Sequence, residues 1–154
     1  IDAYTDRHPA VCAAVDRIDP SRRRFAGIAV DMIFDHFLAR RWEETDAAHF
    51  RKAREHAYAV LLARHAILPE PFQRILPSLA GDDWLGSYAA FDGVRFALER
   101  MSRRLSRPNA LAETADDLAR EYEQLQQDFE SFWPDLRRFA LREQRRLARQ
   151  LPDG

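Results

Sequence analysis

The chain is short of cysteine, lysine, glycine and long apolar runs, and each shortage narrows what it can be. A single cysteine, Cys12, rules out an internal disulfide. Flanked by Val11 and Ala13, it reads as a small core residue rather than a nucleophile. The five glycines are scattered, and no phosphate-binding loop or dinucleotide fingerprint can be assembled from them. There is no His-Glu-x-x-His, no Cys-x-x-Cys and no serine elbow. No run approaches the ~18 apolar residues of a membrane helix, and no signal peptide is visible. The expectation is therefore a cytoplasmic protein without a membrane partner. A net charge of −1 lacks the global signature of nucleic-acid binding. Strand-like alternation of useful length is missing too, which leaves an all-α chain.

What is present is ordinary in amount and uneven in placement. Hydrophobic residues at 46% and charged residues at 32% suit a globular protein, and 154 residues suit one helical domain spanning 1–154. The basic residues are arginines, with Lys52 the lone lysine, and they cluster at 22–24, 40–41 and 103–107 and along the last segment. The pattern predicts a short helix over Pro9 to Ile18 and a boundary at Asp19-Pro20-Ser21. A central helix over 22–41 follows, then a connection at 43–45 with Thr45 capping a helix from Asp46 to about Leu68. A short helix broken by prolines comes next, then one from Trp84 to Arg104 weakened by Gly86 and Gly93. A final long helix begins near Pro108-Asn109, and Pro134 is expected to kink or break it.

The most informative stretch is Asp31-Met-Ile-Phe-Asp35-His36-Phe37. Phe25, Ile28, Val30, Met32, Ile33, Phe34, Leu38 and Trp42 surround it, which reads as a helix apolar nearly all round and so largely buried. Asp31 and Asp35 are four apart and share one face. Two buried like charges each cost roughly several kcal/mol to desolvate, so something cationic must offset them. His36 lies about 100° further round the helix. Two carboxylates and an imidazole facing inward are metal-ligand or acid–base chemistry; the plain alternative is a buried ion pair with an arginine. A second constellation opens the chain: Asp2 and Asp6, again four apart, followed by His8-Pro9. Asp6 has a plain alternative as well, as the N-cap of a helix starting near Pro9.

Ile1-Asp2-x-x-Thr5-Asp6-x-His8-Pro9 together with Asp31-x-x-x-Asp35-His36-Phe37-Leu38-Ala39-Arg40-x-Trp42 resembles the acyl carrier protein phosphodiesterase family. The likeness continues through Trp84-Leu85 and Met101-Ser102-Arg103-Arg104 to Phe129-x-x-Phe132-Trp133-Pro134, so it covers essentially the whole chain. It implies an all-helical fold related to the HD-domain phosphohydrolases and a divalent metal, usually manganese. It also implies hydrolysis of the phosphodiester that joins a carrier-protein serine to its 4′-phosphopantetheine arm, with holo acyl carrier protein, an acidic protein, as partner. Family members carry a further N-terminal segment, with a Gly-Asp motif and a helix ending His-Arg-x before the position of Ile1. A chain starting at Ile1 is on that account expected to be inactive or impaired.

The residues fit that chemistry with these roles. Asp2, Asp31, Asp35 and His36 are the expected metal ligands, converging in one pocket. Asp31, Asp35 and His36 are the expected catalytic groups, with His36 ligating or passing a proton to the leaving serine oxygen. The Asp-His order reverses the His-Asp dyad of the HD class, so individual HD roles are not carried across. Oxygen-dominated ligation favours Mn2+ or Mg2+ over zinc. Arg7, Arg22, Arg23, Arg24, Arg40 and Arg41 are the candidates for receiving the phosphate or an acidic carrier helix. Two rivals stand beside this: a related phosphohydrolase acting on a small nucleotide, and a non-catalytic helical binding module with its aspartates paired to arginines.

Overall fold

The computed structural model describes residues 2–105 and 107–149; Ile1, which opens the first motif, lies outside them. Among the described residues there is helix and no strand. In chain order these are α1 (Asp2–Thr5), α2 (Pro9–Asp16), a 3₁₀ turn (Pro20–Phe25), α3 (Ala26–Ala63) and a second 3₁₀ turn (His65–Ile67). They are followed by α4 (Glu70–Gly81), α5 (Trp84–Ser87), α6 (Phe91–Arg104), α7 (Thr114–Arg120) and α8 (Tyr122–Ala148).

The first half of α3 is the axis of the molecule. Ala26, Ala29, Val30, Ile33, Phe34 and Phe37 recur every three or four residues and are all buried, which is the spacing of one helix face. Val11 and Ala14 of α2, Val94 and Leu98 of α6, Leu118 of α7, and Leu125, Phe129 and Phe132 of α8 close around them. Phe34 meets Phe129 edge-on at 5.5 Å between centroids, and Phe37 meets the same ring tilted at 5.6 Å. Each such side chain contributes about 1.5–3 kcal/mol on burial, so this aromatic seam fixes α8 against α3.

The expectation that residues 25–42 are buried all round needs correction. Gly27, Ile28, Asp31 and Asp35 form an open stripe, with Ile28 42% exposed. They lie one above another along the helix, and α2, α6, α7 and α8 pack on its other sides. The aspartates therefore escape full desolvation and stay reachable from solvent.

The helix ends also differ from expectation. Asp6 does not cap α2: His8 does, its Nδ1 accepting from the Ala10 amide at 3.3 Å. Asp19 caps the first 3₁₀ turn through the Ser21 amide at 2.8 Å, which confirms the boundary there. In place of a connection at 43–45, α3 continues to Ala63 and is interrupted at Asp46, whose backbone is extended. Asp46 rather than Thr45 restarts the helix, accepting from the His49 amide at 3.0 Å. Thr45 instead donates back to the Arg41 carbonyl at 2.7 Å.

Trp84 to Arg104 is two helices. Ser87 of α5 comes so close to Gly93 that a Cβ there would lie 2.0 Å from the Ser87 carbonyl oxygen, so the glycine makes this crossing possible. The last segment is α7 and α8, parted at Glu121, and α8 runs through Pro134 without a break. One missing amide hydrogen bond is outweighed by the apolar seam on both sides of it, formed by Phe129, Phe132, Trp133 and Leu136. No helix of the described residues is long and apolar enough to cross a membrane.

Candidate functional site

Asp31 and Asp35 project from the open stripe of α3 one turn apart. Burial raises the Asp31 carboxyl first, and the nearby Asp6 and Asp2 carboxylates raise it further. Asp35 is pushed up to about 6, mainly by burial and then by Asp31. No positive group pulls either carboxyl down. The alternative of a buried ion pair with an arginine is thus not what the fold provides. The four carboxylates form a graded line: Asp2 and Asp6 act on Asp31, and Asp31 acts on Asp35. Leaving the cap of α2 to His8 sets Asp6 free to join that line.

Beside Asp35 lies a cavity of about 240 Å³, with Leu38, Trp42, Phe50, Arg54, Leu85 and Tyr88 among its lining. Its walls are mostly apolar, with a carboxylate, a guanidinium and a phenol at defined places, which is the usual make-up of a small-molecule site. Two clamps hold the 83–88 segment over this cavity. Asp83 accepts from Arg54 at 3.0 Å, from the Tyr58 hydroxyl at 3.0 Å and from the Gly86 amide at 3.2 Å, while its own backbone takes a left-handed φ of 44°. Tyr58 is buried, its phenol pushed up to about 12 chiefly by that burial, and it accepts from the Leu85 amide at 2.8 Å. The second clamp is His36.

His36 is 2% exposed and turned away from the carboxylates. Its Nδ1 meets the Tyr88 carbonyl at 2.7 Å and its Nε2 meets the Tyr122 hydroxyl at 2.6 Å. The network fixes the protons. Arg40 Nη1 donates to the Tyr122 oxygen at 3.1 Å, so the phenol hydrogen is free to donate to Nε2. That leaves Nδ1–H to donate to the Tyr88 carbonyl. His36 is accordingly a neutral imidazole with both nitrogens engaged, and burial, with Arg40 nearby, lowers its pKa despite the opposing Tyr88 carbonyl. The expected convergence of Asp2, Asp31, Asp35 and His36 is corrected in this respect. Both ring nitrogens of His36 are engaged by the Tyr88 carbonyl and the Tyr122 hydroxyl, so here it holds the Tyr88 segment rather than facing Asp31 and Asp35. The helical period explains it: a residue next to Asp35 points about 100° away, into the core.

Among the described residues no three His, Cys, Asp or Glu side chains gather as a ligand shell. The site fits a divalent cation in charge rather than in ligand number. Asp31 and Asp35 are unneutralised, and Asp2 and Asp6 deepen the negative field. An ion held through one or two carboxylates, with waters and a substrate phosphate completing its shell, asks for no more.

The arginines divide. Arg22 is largely buried among Asp19 at 3.4 Å, Glu113 at 3.7 Å and Asp117 at 3.6 Å, so it is built into the fold. Arg23 pairs with Asp16 at 2.7 Å, Arg24 lies over Phe25 at 5.8 Å, and Arg40 pairs with Glu44 at 2.8 Å. Arg7 and Arg41 are exposed. Arg41 shares a surface hollow with Trp42, Trp133 and Arg137, next to the cavity beside Asp35. Sequence reasoning missed Arg54, Tyr58, Tyr88 and Tyr122 as site residues. Arg54 stacks on Phe50 at 4.4 Å and lines the pocket with Asp35. Nothing in its polar local sequence marks it, whereas Tyr88 stood four residues after Trp84 in a stretch read as core.

The family model for acyl carrier protein phosphodiesterase matches residues 1–136. An acyl carrier protein phosphodiesterase of Serratia proteamaculans is 31% identical over 137 residues, 88% of this chain and 71% of the relative. One of Photorhabdus laumondii is 32% identical over 135 residues, 87% of this chain and 68% of that protein. No solved structure matches the chain.

Proposed function

The chain belongs to the acyl carrier protein phosphodiesterase family, whose members are phosphoric diester hydrolases, and from that premise we propose that it releases 4′-phosphopantetheine from holo acyl carrier protein at the Asp31–Asp35 pair, with a divalent cation. The supporting observation is the pair of raised, unneutralised carboxylates one turn apart on α3, of which Asp35 lines a largely apolar cavity. A structural ion pair would pull such carboxyls down.

Asp31 and Asp35 would hold the cation, with Asp2 adding to the negative field, and Mn2+ or Mg2+ suits oxygen ligands. The ion would supply charge stabilisation for the phosphoryl oxygens and acidify a bound water. The protein's own contributions are separate. Asp35, lining the cavity, would orient the attacking water and accept its proton. Water oxygen bonds to phosphorus, the phosphorus–serine oxygen bond breaks, and the leaving serine oxygen takes up the proton that Asp35 accepted from the water. Tyr88 lines the same cavity, its phenol raised by burial and then by Asp35, so it stays protonated and can donate to a phosphate oxygen. Leu38, Trp42 and Phe50 offer an apolar wall to the pantetheine arm. Arg41 and Arg7, not tied into the fold as Arg22 is, are the better arginines for an acidic carrier surface.

The test is turnover of holo carrier protein to the apo form, followed by mass spectrometry, with Mn2+ and with a chelator. Activity that needs metal, is competed by excess apo carrier protein and is lost in Asp31→Asn and Asp35→Asn is the expected result. Indifference to apo carrier protein, with turnover of a small nucleotide instead, would replace this reading.

A further inference from the structure

The Asp82–Tyr88 segment and α6 line a second and larger cavity of about 390 Å³, which shares Tyr88 with the pocket beside Asp35. Two of the sequence stretches that carry the family likeness meet in its wall: Trp84 from one and Met101 with Arg104 from the other. We propose that this cavity is a binding site for an anionic amphiphile, a molecule with a carboxylate or phosphate head and an apolar tail.

Arg100 is largely buried, with its guanidinium 3.6 Å from the centre of the Trp84 ring and 5.4 Å from that of Phe96. Ser78 accepts from it at 3.2 Å, and Asp82 stands 3.9 Å away. The Asp82 oxygen already accepts from the Ser78 hydroxyl at 2.8 Å and from the Trp84 indole at 3.4 Å, so it is spent within the wall. Arg104 lies 5.6 Å from the Trp84 ring centre and is exposed, with no carboxylate partner among the described residues. Two arginines against one carboxylate leave the cavity net positive. Its remaining surface is apolar: Phe96, Ala97, Met101 and the faces of Trp84 and Tyr88.

Phe96 lines the cavity and is 55% exposed, so its ring is reachable from solvent. Arg104 would take the head, forming charge-assisted hydrogen bonds from its forked guanidinium. Phe96 and Met101 would flank the tail. A cationic head would be repelled, and a head without a tail would gain too little. The cavity shares only Tyr88 with the pocket beside Asp35, and its occupancy can be read without any turnover.

The test is calorimetric titration of the full chain with decanoate, decyl phosphate, decyltrimethylammonium and inorganic phosphate, all below the micellar range. Decanoate and decyl phosphate should each bind at one site per chain, and whichever binds tighter identifies the head group. The ammonium analogue should bind at least tenfold more weakly, and inorganic phosphate not measurably. Arg104→Glu and Phe96→Glu, both at exposed positions, should each weaken the anions at least tenfold, while Arg142→Glu on α8 should not. Circular dichroism would verify that the variants are folded. Equal binding of the ammonium analogue, loss in Arg142→Glu instead of Arg104→Glu, or no binding of either anion would overturn the proposal.

Discussion

Asp35→Asn is expected to make the protein more stable and inactive at once. In the folded chain the Asp35 carboxyl sits near 6 rather than at its usual 3.8, because of burial and then Asp31. A shift of that size, fully insulated, would be worth about 3 kcal/mol at 1.36 kcal/mol per pH unit. Asp35 is open to water, and screening brings the figure down to about 1 kcal/mol. The sign follows from proton uptake. Between about pH 4 and 6 the folded state holds a proton that the unfolded chain has lost, so stability falls as pH rises through that window. Asparagine carries no charge at any pH and escapes the penalty. In metal-free buffer at pH 7.5, thermal unfolding of Asp35→Asn should lie about 2–4 °C above that of the parent. The gap should close toward pH 4. With Mn2+ present the order should reverse, because a cation binding only the folded parent stabilises it by mass action. A variant less stable than the parent at pH 7.5 without metal, or a gap that does not change with pH, would show that Asp35 already has a compensating partner. The argument for a cation there would then fail.

Further outcomes are expected. Tyr122→Phe keeps the ring but removes the hydroxyl that donates to buried His36, which should cost about 1–3 kcal/mol; an unchanged melting temperature would mean the Arg40–Tyr122–His36–Tyr88 chain is not formed. His36 is held neutral below its usual 6.5, so stability should fall as pH drops below about 6.5, where the unfolded chain takes up a proton that the folded one refuses. His36→Gln should flatten that fall in urea titrations at pH 5.5 and 7.5. Arg22→Gln removes the guanidinium 3.6 Å from fully buried Asp117, leaving it Arg120 at 2.9 Å, and should destabilise by about 1–3 kcal/mol, whereas Arg41→Glu should leave unfolding unchanged and weaken carrier-protein binding, measured by titration at low and high salt. Removing Mn2+ with a chelator should lower the melting temperature of the parent and leave that of Asp31→Asn unmoved.

Local order and family were legible from the residues alone. The proline at 20, the apolar segment 25–42 and the lack of strand alternation indicated an all-helical chain with a central helix, which starts at Ala26 after a 3₁₀ turn rather than at 22 and runs on past 41 to Ala63. The paired aspartates at one-turn spacing identified the acidic line, and the motifs around them pointed to the family that the matching model shows. Those signals are local, carried by neighbours three or four residues apart. What the sequence could not convey was which side of α3 would be covered. The Ile28–Asp31–Asp35 stripe is as apolar in its surroundings as the rest, and only the placement of α2, α6, α7 and α8 leaves it open. The fate of His36 was hidden for the same reason. Its partners, Tyr88 and Tyr122, lie 52 and 86 residues away, and only the packing of α3 against α5 and α8 turns a would-be ligand into a buried, neutral strut. Chain spacing thus sets which side chains share a face, while hydrogen bonding and burial between distant helices decide which of them can do chemistry.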